Sequence, residues 1–154
     1  NIEFVLSDKA IQDNQVPEIL ETTENIKTVR DCQIENARII FGIGRGVLKD
    51  DIKKVEDLAR IFHAEIACTR IIVEEQIMDK SRQIGQSGKM VSPDIYVAFG
   101  ISGASQHMVG LKNAKKIIAI NRDKDAMICK YADYVFIADT HKFIACMYSD
   151  FVGD

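Results

Sequence analysis

The chain has 154 residues, a length that corresponds to about one domain. Twenty Lys and Arg against 23 Asp and Glu give a formal net charge of −3, so no overall cationic field draws in nucleic acid or an anionic membrane surface. With 47% hydrophobic and 28% charged residues, the composition is that of a globular protein and is too apolar for a disordered one.

Four cysteines, Cys32, Cys68, Cys129 and Cys146, are scattered without a C-x-x-C pair, which argues against a zinc site, a thioredoxin-type motif or a disulfide framework. Read as reduced thiols, they imply a cytoplasmic location. No apolar run reaches the ~18 residues of a membrane helix, so no membrane insertion is expected. The N-terminus has neither a signal-peptide pattern nor an initiator Met, and a start at Asn1 is expected of an excised or processed piece.

Residues 1–36 read as a connector with short strands. Ile2, Phe4 and Leu6 alternate, Gln12 to Pro17 is polar, and a charged stretch runs through Thr22, Thr23 and Glu24. From Ala37 to the end the texture changes to strand-length apolar bursts separated by amphipathic segments. This predicts an α/β domain over 37–154, with a Rossmann-like parallel sheet and helices on both faces. The first strand is Ala37–Phe41, stopped by Gly42. A helix follows over 51–62, with Ile52, Val55, Leu58, Ala59 and Phe62 at helical spacing. The next strand spans 64–69, and Glu74 to Met90 reads as a polar loop holding Gly85 and Gly88. Beyond Pro93, Ile95–Phe99 is a strand, and 105–111 a helix. The pattern closes with a strand at 116–121, a helical turn at 126–131, a strand at 134–138 and a helix at 140–151.

In an open parallel sheet, ligands sit outside the carboxyl ends of the strands. Those ends carry Gly42-Ile43-Gly44-Arg45-Gly46, Thr69-Arg70, Gly100-Ile101-Ser102-Gly103-Ala104, Asn121-Arg122-Asp123 and Asp139-Thr140. Glycine there lets backbone N–H groups approach an anion, so a phosphate can bind despite the negative net charge. The same glycines also suit turns that need a positive φ, and the two readings stand side by side. The first loop is G-x-G-x-G, not the dinucleotide G-x-G-x-x-G, and Thr69-Arg70 stands where an acidic ribose ligand belongs. A standard NAD signature is therefore absent. Ser102 reads either as a helix N-cap or, with Gly103, Gln106 and His107, as part of one ligand-facing group. Gly85-Gln86-Ser87-Gly88 reads as a donor-bearing loop or a surface turn.

Together, Gly44-Arg45-Gly46, Thr69-Arg70, Ile84-Gly85-Gln86-Ser87-Gly88-Lys89, Gly100-Ile101-Ser102-Gly103-Ala104-Ser105-Gln106-His107, Ala119-Ile120-Asn121 and Ala132-Asp133-Tyr134 resemble the C-terminal flavin-binding domain of the electron transfer flavoprotein alpha subunit. The resemblance runs in order from about Ala37 to the end. It implies a Rossmann-like domain that binds FAD and pairs with a beta subunit to carry electrons from flavoprotein dehydrogenases to a downstream acceptor.

Carried over by position, the resemblance implies that Ser87, where the family usually has Thr, donates to flavin N5. Arg70 would lie over the isoalloxazine ring, and His107 would donate to the flavin C2 carbonyl. Arg45, Thr69, the run Ser102, Gly103, Ala104, Ser105 and Gln106, and the backbone of Ile84 and Gly85 would hold the ribityl and pyrophosphate region, with Gln86 in the same loop. Asn121 and Asp139 would lie toward the adenosine. His107 and Arg70 together would stabilise a one-electron-reduced, anionic flavin, which suits one-electron transfer.

Thr69 replaces the family's usual Ser, and the stretch from Glu74 to Arg82 lacks the glycine and proline common before the glutamine-glycine motif. The chain is also too short for the family's N-terminal domain, so an excised domain is expected. No residue reads as a nucleophile or a proton-abstracting base. His63 and His141 read as surface or packing residues, Met127 and Met147 as core filler, and Lys112, Lys115 and Lys116 as a solvated face. An NAD-using enzyme and a nucleotide-binding regulatory module of the same fold remain as alternatives.

Overall fold

A computed structural model describes residues 2–6 and 33–153. Gln12 to Pro17, Thr22 to Glu24 and Cys32 lie outside them. The apolar bursts form a six-stranded sheet. Its strands are β1 (Glu3–Leu6), β2 (Ile39–Ile43), β3 (Glu65–Cys68), β4 (Ile95–Phe99), β5 (Lys116–Asn121) and β6 (Tyr134–Ile137). The order across the sheet is β1-β6-β5-β4-β2-β3. Every pair is parallel except β1 with β6, where Glu3 faces Ile137 and Leu6 faces Tyr134 in antiparallel register. β2 and β4 are buried at all five positions, as continuous apolar runs are when both faces of a parallel sheet are covered.

The helices are α1 (Ile52–Phe62), α2 (Arg70–Glu74), α3 (Ser105–Met108), α4 (Met127–Tyr131) and α5 (Thr140–Phe151). Alternation along the strands sends Phe41, Ile43 and Phe99 to one face, where Val55 and Leu58 of α1 and Ile144 of α5 meet them. Ile40, Tyr96 and Ala98 face the other way, against Met108 of α3, Ile128 of α4 and Ala132 just after it. This is the doubly covered α/β sheet expected from the sequence. Upstream of residue 37, Phe4 packs its ring on Phe136, with centroids 4.9 Å apart, and Ile34 is fully buried in the second core.

Several boundaries differ from the pattern. β2 continues through Gly42 to Ile43, so that glycine is interior to a strand and does not end it. Residues 105–111 divide into α3 and a 3-10 turn over Val109–Leu111. The helix α2 was not expected: its three β-branched residues disguise it. It starts where Thr69 N donates to Ile43 O, and it buries Ile72. Met127, read as core filler, is 48% exposed, because α4 turns only Ile128 fully inward. Met147 does pack on the core. His63 is the exposed left-handed C-cap of α1 with φ 56°, and half-exposed His141 bonds Asp51 at 2.6 Å. Among the described residues no helix is long and apolar enough to cross a membrane, and no cluster of metal-ligating side chains is present.

This topology fixes where a ligand can sit. From β2 the chain moves outward to β3, then returns to β4 on the other side and continues to β5 and β6, so the strand order reverses between β2 and β4. The loops leaving those two strands therefore run side by side. Gly44 N donates to Phe99 O at 3.0 Å and Gly46 N to Gly100 O at 2.9 Å. A Cβ at residue 46 would come within 2.8 Å of Gly100 Cα, and Gly100 itself has φ +62°, so only glycines allow this crossing.

Candidate functional site

At the carboxyl ends of β2 to β5, a cleft of about 860 Å³ opens over this crossing. That volume lies within the range of small-molecule and cofactor pockets. The first loop contributes Arg45, and the turn from β3 into α2 contributes Thr69 and Arg70. The long loop before β4 supplies Ile84, Gln86 and Ser87. The loop after β4 and the helix α3 supply Ser102, Ala104, Gln106 and His107, and the end of β5 supplies Asn121. Eleven of the fifteen residues singled out in the sequence thus share one wall-to-wall cavity. Gly85, Gly103 and Ser105 lie in the same loops without lining it. Asp139 does not line it and caps α5 instead, accepting from Lys142 N at 3.0 Å.

The hydrogen-bond inventory separates groups with capacity to spare from groups already used. Thr69 Oγ1 is buried at the cleft wall with no hydrogen-bond partner among the described residues, a costly arrangement in the absence of a ligand. Ser87 Oγ accepts from Gln83 Nε2 at 2.9 Å, which leaves its own hydrogen to be donated elsewhere. Asn121, by contrast, is used at both ends of its amide: Nδ2 donates to Ile101 O at 2.9 Å, and Oδ1 accepts from Asp123 N at 2.9 Å. It ties the end of β5 to the loop after β4. Ser102 does not cap α3, whose N-cap is Ala104; its carbonyl accepts from Ile128 N at 3.0 Å.

His107 is 5% exposed, with Nε2 2.9 Å from Tyr96 Oη and Nδ1 3.2 Å from Ile84 O. Burial, opposed by the bond to Ile84, brings its pKa down to about 4, so it is a neutral imidazole at pH 7. The donor role toward a ligand carbonyl that the resemblance implies requires one of these two bonds to open.

Charge in the cleft is mainly cationic. Arg45, Arg70 and Arg122 line it, against Glu74 and Asp123. Arg70 Nε meets Glu74 Oε1 at 2.7 Å across one turn of α2. Among the described residues neither Arg45 nor Arg122 has an acidic group within ion-pair distance. Burial pushes the Cys68 thiol up to about 12, which removes it as a nucleophile. The arrangement offers cations, backbone donors and hydroxyls. It suits a bound polyanionic cofactor better than covalent or general-base chemistry.

Sequence reasoning missed Gln83, Glu74, Ile71 and Tyr96, and it quoted Arg122 and Asp123 as strand-end residues without placing them in the site. The i,i+4 spacing of Arg70 and Glu74 was a usable signal for Glu74. Gln83 reaches the wall through a bridge between Cys68 and Gln83 that no local pattern encodes.

Residues 33–112 match the family described as the electron transfer flavoprotein FAD-binding domain. Among curated proteins, the electron transfer flavoprotein subunit alpha of Clostridium acetobutylicum is 40% identical over 121 residues, covering 77% of this chain and 36% of that protein. The subunit alpha of Bacillus subtilis is 39% identical over 126 residues, covering 81% and 39%. A FixB protein of Escherichia coli is 38% identical over 131 residues, covering 84% and 42%. The chain thus spans less than half the length of these relatives.

Proposed function

The chain belongs to the electron transfer flavoprotein FAD-binding domain family, and we propose that it binds FAD in the cleft between the loops after β2 and β4 as the cofactor-carrying part of an electron transfer flavoprotein alpha subunit. The observation that carries this reading is the convergence of Arg45, Arg122, the orphaned Thr69 Oγ1 and the Ser87 hydroxyl on one cavity at the sheet's switch point. These residues fit the group: the guanidiniums suit its pyrophosphate, and the hydroxyls suit its ribityl and ring edges. Bound FAD would supply the electron-transfer chemistry, which a side-chain set of this kind does not contain.

The chain's own residues then bind, orient and bias. Arg45 and Arg122 hold the diphosphate, aided by the backbone of Ser102 to Gln106 and of Ile84 and Gly85. Thr69 takes up a ribityl hydroxyl with its unsatisfied oxygen. Ser87 donates toward the flavin ring. Arg70, paired with Glu74 in the structure, is the cation for the ring end; a positive charge there favours the reduced, more negative cofactor. Asn121 acts indirectly, by fixing the loop after β4. Asp139 caps α5, and Asn121, with one hydrogen bond at each end of its amide, keeps a second N–H and a second lone pair for the adenosine.

In the whole protein, the domain over 37–154 works with a beta subunit as a heterodimer in the cytoplasm. It takes electrons from flavoprotein dehydrogenases of the acyl-CoA type, as in fatty acid oxidation, and passes them to a further acceptor. The test is to titrate the purified chain with FAD and record visible absorption, flavin fluorescence and thermal stability, with NAD as the competing ligand. Saturable flavin binding that Arg45→Ala weakens supports the proposal. Stabilisation by NAD with no flavin bound overturns it. Reduction by an acyl-CoA dehydrogenase, with the beta subunit present, tests the wider role.

A further inference from the structure

Tyr96 sits in the middle of β4, completely buried, in a position where phenylalanine would fill the same core with no polar atom to satisfy. Among the described residues its hydroxyl has one hydrogen-bond partner, Nε2 of His107 at 2.9 Å. On the opposite side of the ring, His107 Nδ1 lies 3.2 Å from Ile84 O. A carbonyl oxygen only accepts, so Nδ1 carries the hydrogen of the neutral ring. Nε2 is then a bare acceptor, and the phenol must donate to it. The direction of both bonds follows from chemistry alone.

The surroundings are shaped for this chain of bonds. On the neighbouring strand, Gly42 pairs with Ala98, and a Cβ at residue 42 would fall 1.9 Å from Tyr96 Oη. Glycine inside a strand is unfavourable, yet here it makes room for the hydroxyl. Ile84 is held equally firmly: its N donates to Cys68 O at 3.0 Å, and Gln86 N donates to Gln106 O at 2.7 Å one turn of chain later. The acceptor is therefore fixed to β3 on one side and to α3 on the other.

We propose that Tyr96 is a positioning residue for the cleft, its buried hydroxyl and the Ile84 carbonyl together fixing His107 in the Nδ1-protonated tautomer and in one orientation at the cleft wall. With both nitrogens engaged inside the protein, the imidazole keeps one fixed, neutral orientation at the cleft wall. The tautomer lock stands on the ligand-free geometry; only its effect on a flavin rests on the function proposed above. Burial also raises the phenol's pKa, which keeps it a donor, and it holds the imidazole uncharged.

The test uses the 154-residue chain labelled with 15N at histidine, without ligand and at neutral pH. The expected spectrum shows His107 with a protonated Nδ1 and an unprotonated, hydrogen-bonded Nε2, in slow exchange with solvent. In Tyr96→Phe the Nε2 resonance should shift and an Nε2-protonated population of the imidazole should appear. An Nε2-protonated ring in the wild type overturns the proposal. So does a Tyr96→Phe variant whose imidazole signals match the wild type. If Tyr96→Phe does not fold, the wild-type spectrum alone decides the tautomer. If the spectra are as expected and no variant binds FAD, the positioning stands and the flavin reading fails.

Discussion

Mild acid should destabilise this fold chiefly through one imidazole. His107 in the folded chain has its pKa pulled from 6.5 to about 4 by burial. Between those values the unfolded chain holds a proton that the folded chain does not, so stability is fully present above about pH 6.5 and is lost as pH falls toward 4. The whole displacement corresponds to about 3 kcal/mol, of which about 2 kcal/mol falls between pH 7 and pH 5. The carboxyls of Glu35 and Asp94 are also held below the ordinary 4.5 and 3.8, Glu35 chiefly by a backbone hydrogen bond and Asp94 by Lys115 and Arg38, and their contributions, of the same sign, are lost only at still lower pH. The interval from pH 7 to 5 therefore isolates the histidine. The chain has no Trp, so urea unfolding is best followed by far-UV circular dichroism at pH 7, 6 and 5. His107→Gln is the reference, because His63 and His141 are present in both proteins and cancel. Wild type should lose about 2 kcal/mol more than the variant over this interval. Parallel pH dependences would refute the assignment of a buried, neutral imidazole.

Two further perturbations probe the loops and the charge. Gly103 has φ +88° and a Cβ there would fall 2.3 Å from Ile128 N, so Gly103→Ala combines backbone strain with overpacking and should cost at least about 3 kcal/mol. Gly153→Ala, at φ +93° with open space around it, should cost only about 1 kcal/mol, and equal losses in Tm for the two would contradict the packing argument. Arg122→Ala should weaken FAD binding about tenfold, the scale of a charge-assisted hydrogen bond, and should flatten its dependence on salt. Fluorescence titrations at two ionic strengths check this, and an unchanged salt dependence counts against a phosphate contact.

Where the hydrophobic pattern was local and well bounded, it was read to the residue. Ile95–Phe99, Lys116–Asn121 and Thr140–Phe151 are the observed bounds of β4, β5 and α5. The misreadings share a long-range cause. Gly42 looked like a strand terminator, but it sits inside β2 because the phenol of Tyr96, 54 residues on, occupies the space a side chain would need. No helix was read over Arg70–Glu74 because Ile71, Ile72 and Val73 are poor helix formers, and the helix is fixed instead by burial of Ile72 and by a bond from Thr69 N to the end of β2.

The same distinction runs through the site. The gathering of polar residues at one rim was legible because parallel strands all end on the same side of the sheet, so strand-end residues converge whatever their separation in sequence. Which of them retain a free donor or acceptor was not legible. Asn121 and His107 look alike in sequence as polar groups at the rim, yet both close their hydrogen bonds inside the protein, on Ile101, Asp123, Ile84 and Tyr96. Thr69 and Ser87 look no more distinctive, but they keep an unsatisfied oxygen and an undonated hydrogen. A buried polar group without a partner is costly, so a ligand that satisfies Thr69 gains more than one that replaces a bond already made. Binding energy in this cleft should therefore concentrate on Thr69, Ser87 and on Arg45 and Arg122, which have no acidic partner among the described residues, while Asn121 and Tyr96 act through the shape they impose.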